Sequence, residues 1–278
     1  GGSKIMKKHN GSDLIIRIIL FLFLISTVLP LLIMIFTSLK DETQILQNFW
    51  GISLPFHWEN YTEAWNEIGG YFYNSFKVTL LSVGGIVVIS TLAGYAFAKL
   101  PMKGRQPLYM IVMSFRMVPV GLLIIPMFMN VLSLNLDNSH WGVILVNMAT
   151  GSTMAVMLTK SFFEQLPNSI FESAKIDGAG ELAVMTKILL PLSKPIIGTV
   201  AVFNFFTYFN QFMWPYIVLS DKSLKTIPIG LNTLAGEFGI NFGLQTAGYT
   251  LVAVPLVILF LATSKIYVGG ITSGAVKG

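Results

Sequence analysis

Six long stretches of the chain hold no charged side chain: residues 18–39, 78–98, 117–136, 141–159, 195–220 and 238–264. Each approaches or exceeds the ~20 residues that an α-helix needs to cross ~30 Å of hydrocarbon. One such stretch alone would fit a buried core helix. Six in 278 residues predict an all-α integral membrane protein with six transmembrane helices. Extended to their polar flanks, the spans read 14–39, 72–98, 106–130, 141–160, 195–219 and 246–268. They form one membrane domain over 14–268, between a tail at 1–13 and a tail at 269–278. The longest polar interruption between spans is 161–194. The first apolar stretch is too long for a signal peptide and lacks a small-residue cleavage site.

Composition agrees: 54% of residues are hydrophobic and 11% charged, against about 25% charged in ordinary globular domains. The distribution of charge sets an orientation. With the amino terminus inside, the cytoplasmic segments carry thirteen basic residues, and the external ones carry only Lys40, Lys77, Lys222 and Lys225. Lys and Arg flanking the spans favour the cytoplasmic side, so both termini and the 161–194 segment are expected to be cytoplasmic. The net charge of +5 thus reflects topology, and no basic–aromatic motif points to nucleic acid. The chain has no cysteine, which excludes disulfide scaffolds and thiolate metal sites.

Several polar groups sit inside or beside the spans. Glu59, Glu63 and Glu67 recur every four residues and predict a short external helix with one acidic face, either solvated or a docking patch. Nearby Trp50, Trp58, Tyr61 and Trp65 suit a membrane–water interface. Pro30, Pro119, Pro126 and Pro255 fall within spans, where proline frees a carbonyl and kinks a helix. In the fifth span Asn204, Tyr208 and Gln211 share one helix face, with Asn210, Trp214 and Tyr216 near its outer end. Amides are costly against lipid, so this face is expected to meet a cavity or another helix. Aromatics beside amides suit a sugar, and they also suit plain packing. Arg116 lies about ten residues into the third span, roughly 15 Å deep. A cation at that depth is either functional or snorkels to the cytoplasm. Arg116, Asn204, Tyr208 and Gln211 are the candidate translocation path.

The 161–194 segment carries the most specific pattern. Glu172-Ser173-Ala174, three intervening residues, Gly178, nine intervening residues and Ile188-x-Leu190-Pro191 make up the pattern. Pro167 and Asn168 can open a short helix over 169–177, Gly178 and Gly180 permit a sharp turn, and a second helix over about 181–190 would end before Pro191. Ser173, Ala174 and Ala179 would offer a surface of small side chains to a partner. This pattern closely resembles the coupling loop of ABC importer permeases, whose motif begins Glu-Ala-Ala; Ser173 replaces the first alanine. Asn60-Tyr61, Asn74-Ser75, Tyr95-Ala-Phe-Ala, Gly104-Arg105 and the Gly-Ala-Val-Lys-Gly end resemble the carbohydrate-uptake branch. Most of the chain from about residue 15 onward is similar to the smaller membrane subunit of a maltose-type importer.

The resemblance implies a cytoplasmic helical coupling loop in which Glu172, Ser173, Ala174, Asp177, Gly178, Ala179 and Pro191 meet a separate ATPase. It implies a sugar, of oligosaccharide size, as cargo in a bacterial plasma (inner) membrane. The implied partners are a second homologous permease, two ATPase subunits that bind ATP and Mg, an extracellular or periplasmic sugar-binding protein, and membrane lipid. The external loop, including Leu231, Asn232 and Gly236, would meet the binding protein. No phosphate loop, metal-ligand cluster or catalytic serine–histidine–acid set is present in the sequence, so the chain is expected to be non-catalytic and free of cofactors. A glycerol-phosphate or other polyol cargo, favoured only by Arg116, is the alternative within the class. A stand-alone secondary carrier would want an intramembrane acid, and the spans hold none.

Overall fold

The computed structural model describes residues 11–234 and 241–275, which are helices and connecting segments without a β-strand. Thirteen α-helices are used below: α1 Gly11–Ser38, α2 Glu42–Gln47, α3 Glu59–Lys99, α4 Arg105–Ser114, α5 Val120–Ser133, α6 His140–Gln165, α7 Asn168–Ile176, α8 Glu181–Val184, α9 Leu190–Leu192, α10 Lys194–Phe209, α11 Met213–Val218, α12 Ile227–Leu234 and α13 Phe242–Ala275. Four are long and apolar enough to cross a membrane, and six spans result if each of two bent helix pairs counts as one. The backbone folds into two units: residues up to 67 with 233–254, and residues 68–232 with 255 onward.

In the first unit α1 is apolar and its most hydrophobic window has no buried residue. A helix satisfies its own backbone groups, so it tolerates lipid on all sides. The segment after it is pinned by polar groups. Asn60 donates to the carbonyls of Ser38 and Lys40, each at 3.0 Å, and the Tyr61 hydroxyl lies 2.6 Å from Ser38 Oγ. The Lys40 ammonium is buried and donates to the carbonyls of Asn48 and Phe49. The Asn60-Tyr61 pair therefore works as a backbone clamp. The separate acidic helix expected around Glu59, Glu63 and Glu67 is instead the opening of α3, continuous with the second span. No proline interrupts it, and the helix runs on through Gly69-Gly70.

The second unit packs around α6, which lies against α10, α11 and α4. At Gly151 on α6 three helices approach closely: a side chain there would collide with Ile86 and Tyr208 and press on Asn204. Small residues let helix backbones approach in this way. Thr159 donates to the Ser90 carbonyl at 2.8 Å, tying α6 to α3. Val78, Val143, Ile144, Trp214 and Val218 form one buried cluster. Tyr95, Phe163, Phe171, Val184 and Ile196 form another.

Two expected spans and one expected loop helix are not single straight helices. The stretch read as 106–130 is two helices meeting at 102°. Val118, ahead of Pro119, is extended at φ −82°, ψ 121°, because a residue before proline avoids the helical region. The stretch read as 195–219 breaks after Phe209. A continuing helix would press the Pro215 ring onto the carbonyl four residues back, and α11 restarts so that Pro215 falls in its first turn. The second helix of the 161–194 segment does not stop before Pro191. Residues Met185–Leu189 widen into a π-turn and Pro191 lies inside α9. A π-turn slips the hydrogen-bond register by one residue, and Leu190 N–H bonds to the Met185 carbonyl just ahead of the residue that has no N–H to give.

Candidate functional site

Two places gather the candidate residues: the loop from Leu166 to Leu192, and a cavity among α5, α6, α10 and α11. In the loop, Leu166 is extended before Pro167, and α7 begins at once. Its end is a Schellman cap. Gly178 N–H bonds to the Lys175 carbonyl at 3.0 Å and Ala179 N–H to the Ala174 carbonyl at 2.9 Å, the paired bonds that close this motif. The motif needs a left-handed residue at the Gly178 position, and Gly178 has φ +80°, which costs glycine little. Ala174 and Ala179 both pack into the buried cluster around Phe171 and Val184, which supplies the apolar contact that accompanies such caps.

The spacing of Ala174 and Gly178 is thus the spacing of a helix cap. This corrects the expectation that Ala174 and Ala179 face outward: Ala174 is buried and Ala179 half-buried. Small size at these sites serves the loop's own packing. Glu172, Ser173, Asp177 and Pro191 are exposed. So are two large apolar residues that sequence reasoning missed, Ile176 at 86% and Leu182 at 71%. They flank the Gly178 turn and are costly to leave in water. Their signal in the sequence was an apolar residue on each side of a Gly-containing turn.

Polar contacts close the loop and fasten it to α3. Lys175 Nζ lies 2.7 Å from Glu181 Oε1, bridging the turn. The Tyr95 hydroxyl donates to Glu181 Oε2 at 2.7 Å. Lys99 Nζ donates to the Leu166 carbonyl and to Asn168 Oδ1, each at 2.7 Å, and stands over the Phe171 ring. The Lys175 ammonium, and after it the Tyr95 hydroxyl, holds the Glu181 carboxyl below the usual carboxylate range. The Tyr95 motif was legible as a pattern, but its bond to a residue 86 positions away was not.

The cavity has a volume of ≈ 270 Å³ and is lined by Thr150, Thr207, Tyr208, Gln211 and Trp214 among apolar neighbours from α5. The Tyr208 hydroxyl lies 3.2 Å from Thr150 Oγ1. Gln211 Oε1 is buried with no hydrogen-bond partner among the described residues. A buried unpaired carbonyl costs ≈ 1–3 kcal/mol, so this oxygen favours an incoming donor. Tyr208 and Gln211 do line one cavity, but not as one helix face, since α10 ends between them. Asn204 is buried and bonds to the Val200 carbonyl of its own helix at 2.8 Å; it does not line the cavity. Arg116 is exposed on a 3-10 turn at the α4–α5 bend, within electrostatic reach of Tyr208. It does not sit midway along a straight helix. Thr150 and Thr207 were missed because single threonines in a span carry little pattern.

On α12, Leu231 is half-buried and Asn232 exposed; Gly236 lies outside the described residues, as does the 276–278 end of the chain. Among the described residues no group of three or more His, Cys, Asp or Glu side chains could hold a metal.

The described residues thus form a bundle of broken helices with a capped helical loop between its spans. Residues 85–269 match the family described as the binding-protein-dependent transport system inner membrane component. The chain belongs to this family and is a membrane permease subunit. It is 34% identical over 262 residues to the probable ABC transporter permease protein YurM of Bacillus subtilis, covering 94% of this chain and 87% of that protein. It is 31% identical over 287 residues to the arabinooligosaccharides transport system permease protein AraQ of Bacillus subtilis, covering 98% of this chain and 100% of that one. Its fold matches a chain in the crystal structure of a bacterial ABC transporter involved in the import of the acidic polysaccharide alginate. The TM-score is 0.83 at 19% identity, covering 94% of this chain and 99% of that chain.

Proposed function

We propose that the chain is one half of the membrane pathway of an ATP-driven importer that carries an oligosaccharide into the cell. A second, homologous permease completes the pathway. Two ATPase subunits, which bind the ATP and Mg, dock on the loop at 166–192. An external binding protein delivers the cargo near Leu231 and Asn232. The observation that carries this reading is the capped turn at Gly178, which exposes Ile176 and Leu182 beside Glu172 and Ser173. Two apolar side chains on a rigid polar tip suit insertion into a cleft of a soluble partner. The permeases whose descriptions name arabinooligosaccharides and melibiose, raffinose and stachyose support a sugar cargo, as does the aromatic and amide lining of the cavity.

Both termini and the loop face the cytoplasm in this reading. Since the chain has no cysteine, single reporters test it. A cysteine at Ser223 is expected to react with a membrane-impermeant reagent in intact cells and one at Lys175 to stay silent; the reverse pattern overturns the orientation. Purification of the complex is expected to bring an ATPase with the chain, and Gly178→Pro to release it. A chain that purifies without an ATPase refutes the coupling role. An anionic sugar is the second reading, favoured by the exposed cation of Arg116 at the α4–α5 bend. It predicts that uptake of an acidic oligosaccharide, but not of a neutral one, falls in Arg116→Leu.

A further inference from the structure

The helix α3 is held at two distant points within one unit. Near its end, Tyr95 donates to Glu181 and Lys99 to Leu166 and Asn168, so the 166–192 loop cannot shift without α3 or the loss of these bonds. Towards its other side, Asn74 donates to the carbonyls of Ser223 and Lys225 at 2.8 and 3.0 Å. Ser75 Oγ accepts from Ile227 N–H at 2.8 Å. These bonds fix the segment that opens α12. Tyr71, one turn away, lies so close to α12 that a side chain at Gly230 would collide with its ring. From Asn74 to Tyr95 the helix is continuous and without proline, a rise of ~32 Å, about the thickness of the hydrocarbon core.

We infer that α3 is a transmission rod: it couples the ATPase-docking loop to the α12 loop on the opposite side of the membrane, with Tyr95 and Asn74 as its two positioning residues. This rests on the docking role given to the 166–192 loop above. Hydrogen bonds to charged groups and doubly bonded carbonyl clamps hold geometry against small displacements, and an unbroken helix carries displacement along its axis. Tyr95 and Asn74 touch no cargo or nucleotide; they act through Glu181 and through the 223–227 backbone. Coupling through such a network is established by non-additivity, and the experiment is built on it.

The probe is the labelling rate of an Asn232→Cys variant by a membrane-impermeant maleimide in the intact complex, with and without MgATP plus vanadate. Trapping the ATPase is expected to change that rate about fivefold or more. With Tyr95→Phe, which removes only the hydroxyl, the change is expected to fall below about twofold while the ATPase stays bound. Asn74→Ala is expected to do the same, and the pair together no more than either alone. Lys99→Met, which keeps the stem over Phe171, serves as a second break at the loop end. A full response in Tyr95→Phe and Lys99→Met, additive losses in the double variant, or no response at Asn232 in the parent overturns the rod. Loss of the ATPase in Tyr95→Phe also overturns it, since Tyr95 would then serve docking. Failure of the docking role itself is read separately, from Gly178→Pro retaining its ATPase.

Discussion

The 166–192 loop and the α5–α6–α10–α11 cavity are built in opposite ways. In the loop, most of what matters lies within one short stretch of chain: the cap bonds, the Lys175–Glu181 bridge and the Ala174–Ala179 contact. In the cavity, Thr150, Tyr208, Gln211 and the residues of α5 come from three separate parts of the sequence. Their meeting depends on breaks at Pro119 and Phe209. The loop closes its turn with backbone bonds, whereas the cavity keeps a buried side-chain carbonyl without a partner among the described residues. A region that docks a rigid partner gains from being closed on itself. A region that passes cargo gains from groups left to be paired in passing.

The sharpest way to break this contrast is Gly178→Pro. Proline fixes φ near −65° and removes the N–H bonded to Lys175, where the cap requires +80°. A local cost of about 3 kcal/mol or more is expected to unfold the turn, lower uptake more than tenfold and release the ATPase, all read on the purified complex. Trp214→Ala comes next. Its ring is buried at 4% exposure and its N–H donates to the Gly142 carbonyl, so a loss of about 3–5 kcal/mol is expected. Thermal unfolding in detergent measures it.

Gln211→Leu sharpens the contrast, because stability and transport should move in opposite directions. Removing the unpaired buried carbonyl is expected to leave stability unchanged or raise it by about 1 kcal/mol while uptake falls. Uptake at the parent level removes Gln211 from the path. The smallest effect is the pH response of the loop. The Glu181 carboxyl is depressed, first by Lys175 and then by Tyr95. Its stabilising contribution is present above the unfolded value of about 4.3 and is lost as pH falls through the lower folded value. Both side chains of the ion pair are about half exposed, so the contribution is under ~1 kcal/mol. Hydrogen exchange at Gly178 and Ala179 is expected to stay constant from neutral pH to about 5, after correction for intrinsic rates, and to quicken below about 4. Glu181→Gln should abolish that step.

How much could be read in advance follows the same division. The turn at Gly178 was legible because a cap is made by neighbours in sequence, and local geometry leaves a local pattern. Ala174 was also found, but its direction was misread: the pattern says that small residues are needed and is silent on which side needs them. Asn204, Tyr208 and Gln211 were grouped by helical spacing, and the break after Phe209 takes Gln211 out of that spacing. Tyr95 and Asn74 stood out as motifs, but each is explained by a partner far along the chain, Glu181 for one and Ser223 with Lys225 for the other.

By itself the sequence determined that this is a helical membrane protein with a capped polar loop between spans. Hydrocarbon thickness sets the length of charge-free helices, and backbone sterics set where glycine and proline fall. Tertiary structure alone decided that Ala174 turns inward, that Asn204 lines no cavity, and that α3 is clamped near Asn74 and again near Tyr95. Each of these depends on close packing between segments distant in sequence. Side chains there compete for the same space and the same hydrogen-bond partners, and no local pattern records which of them wins.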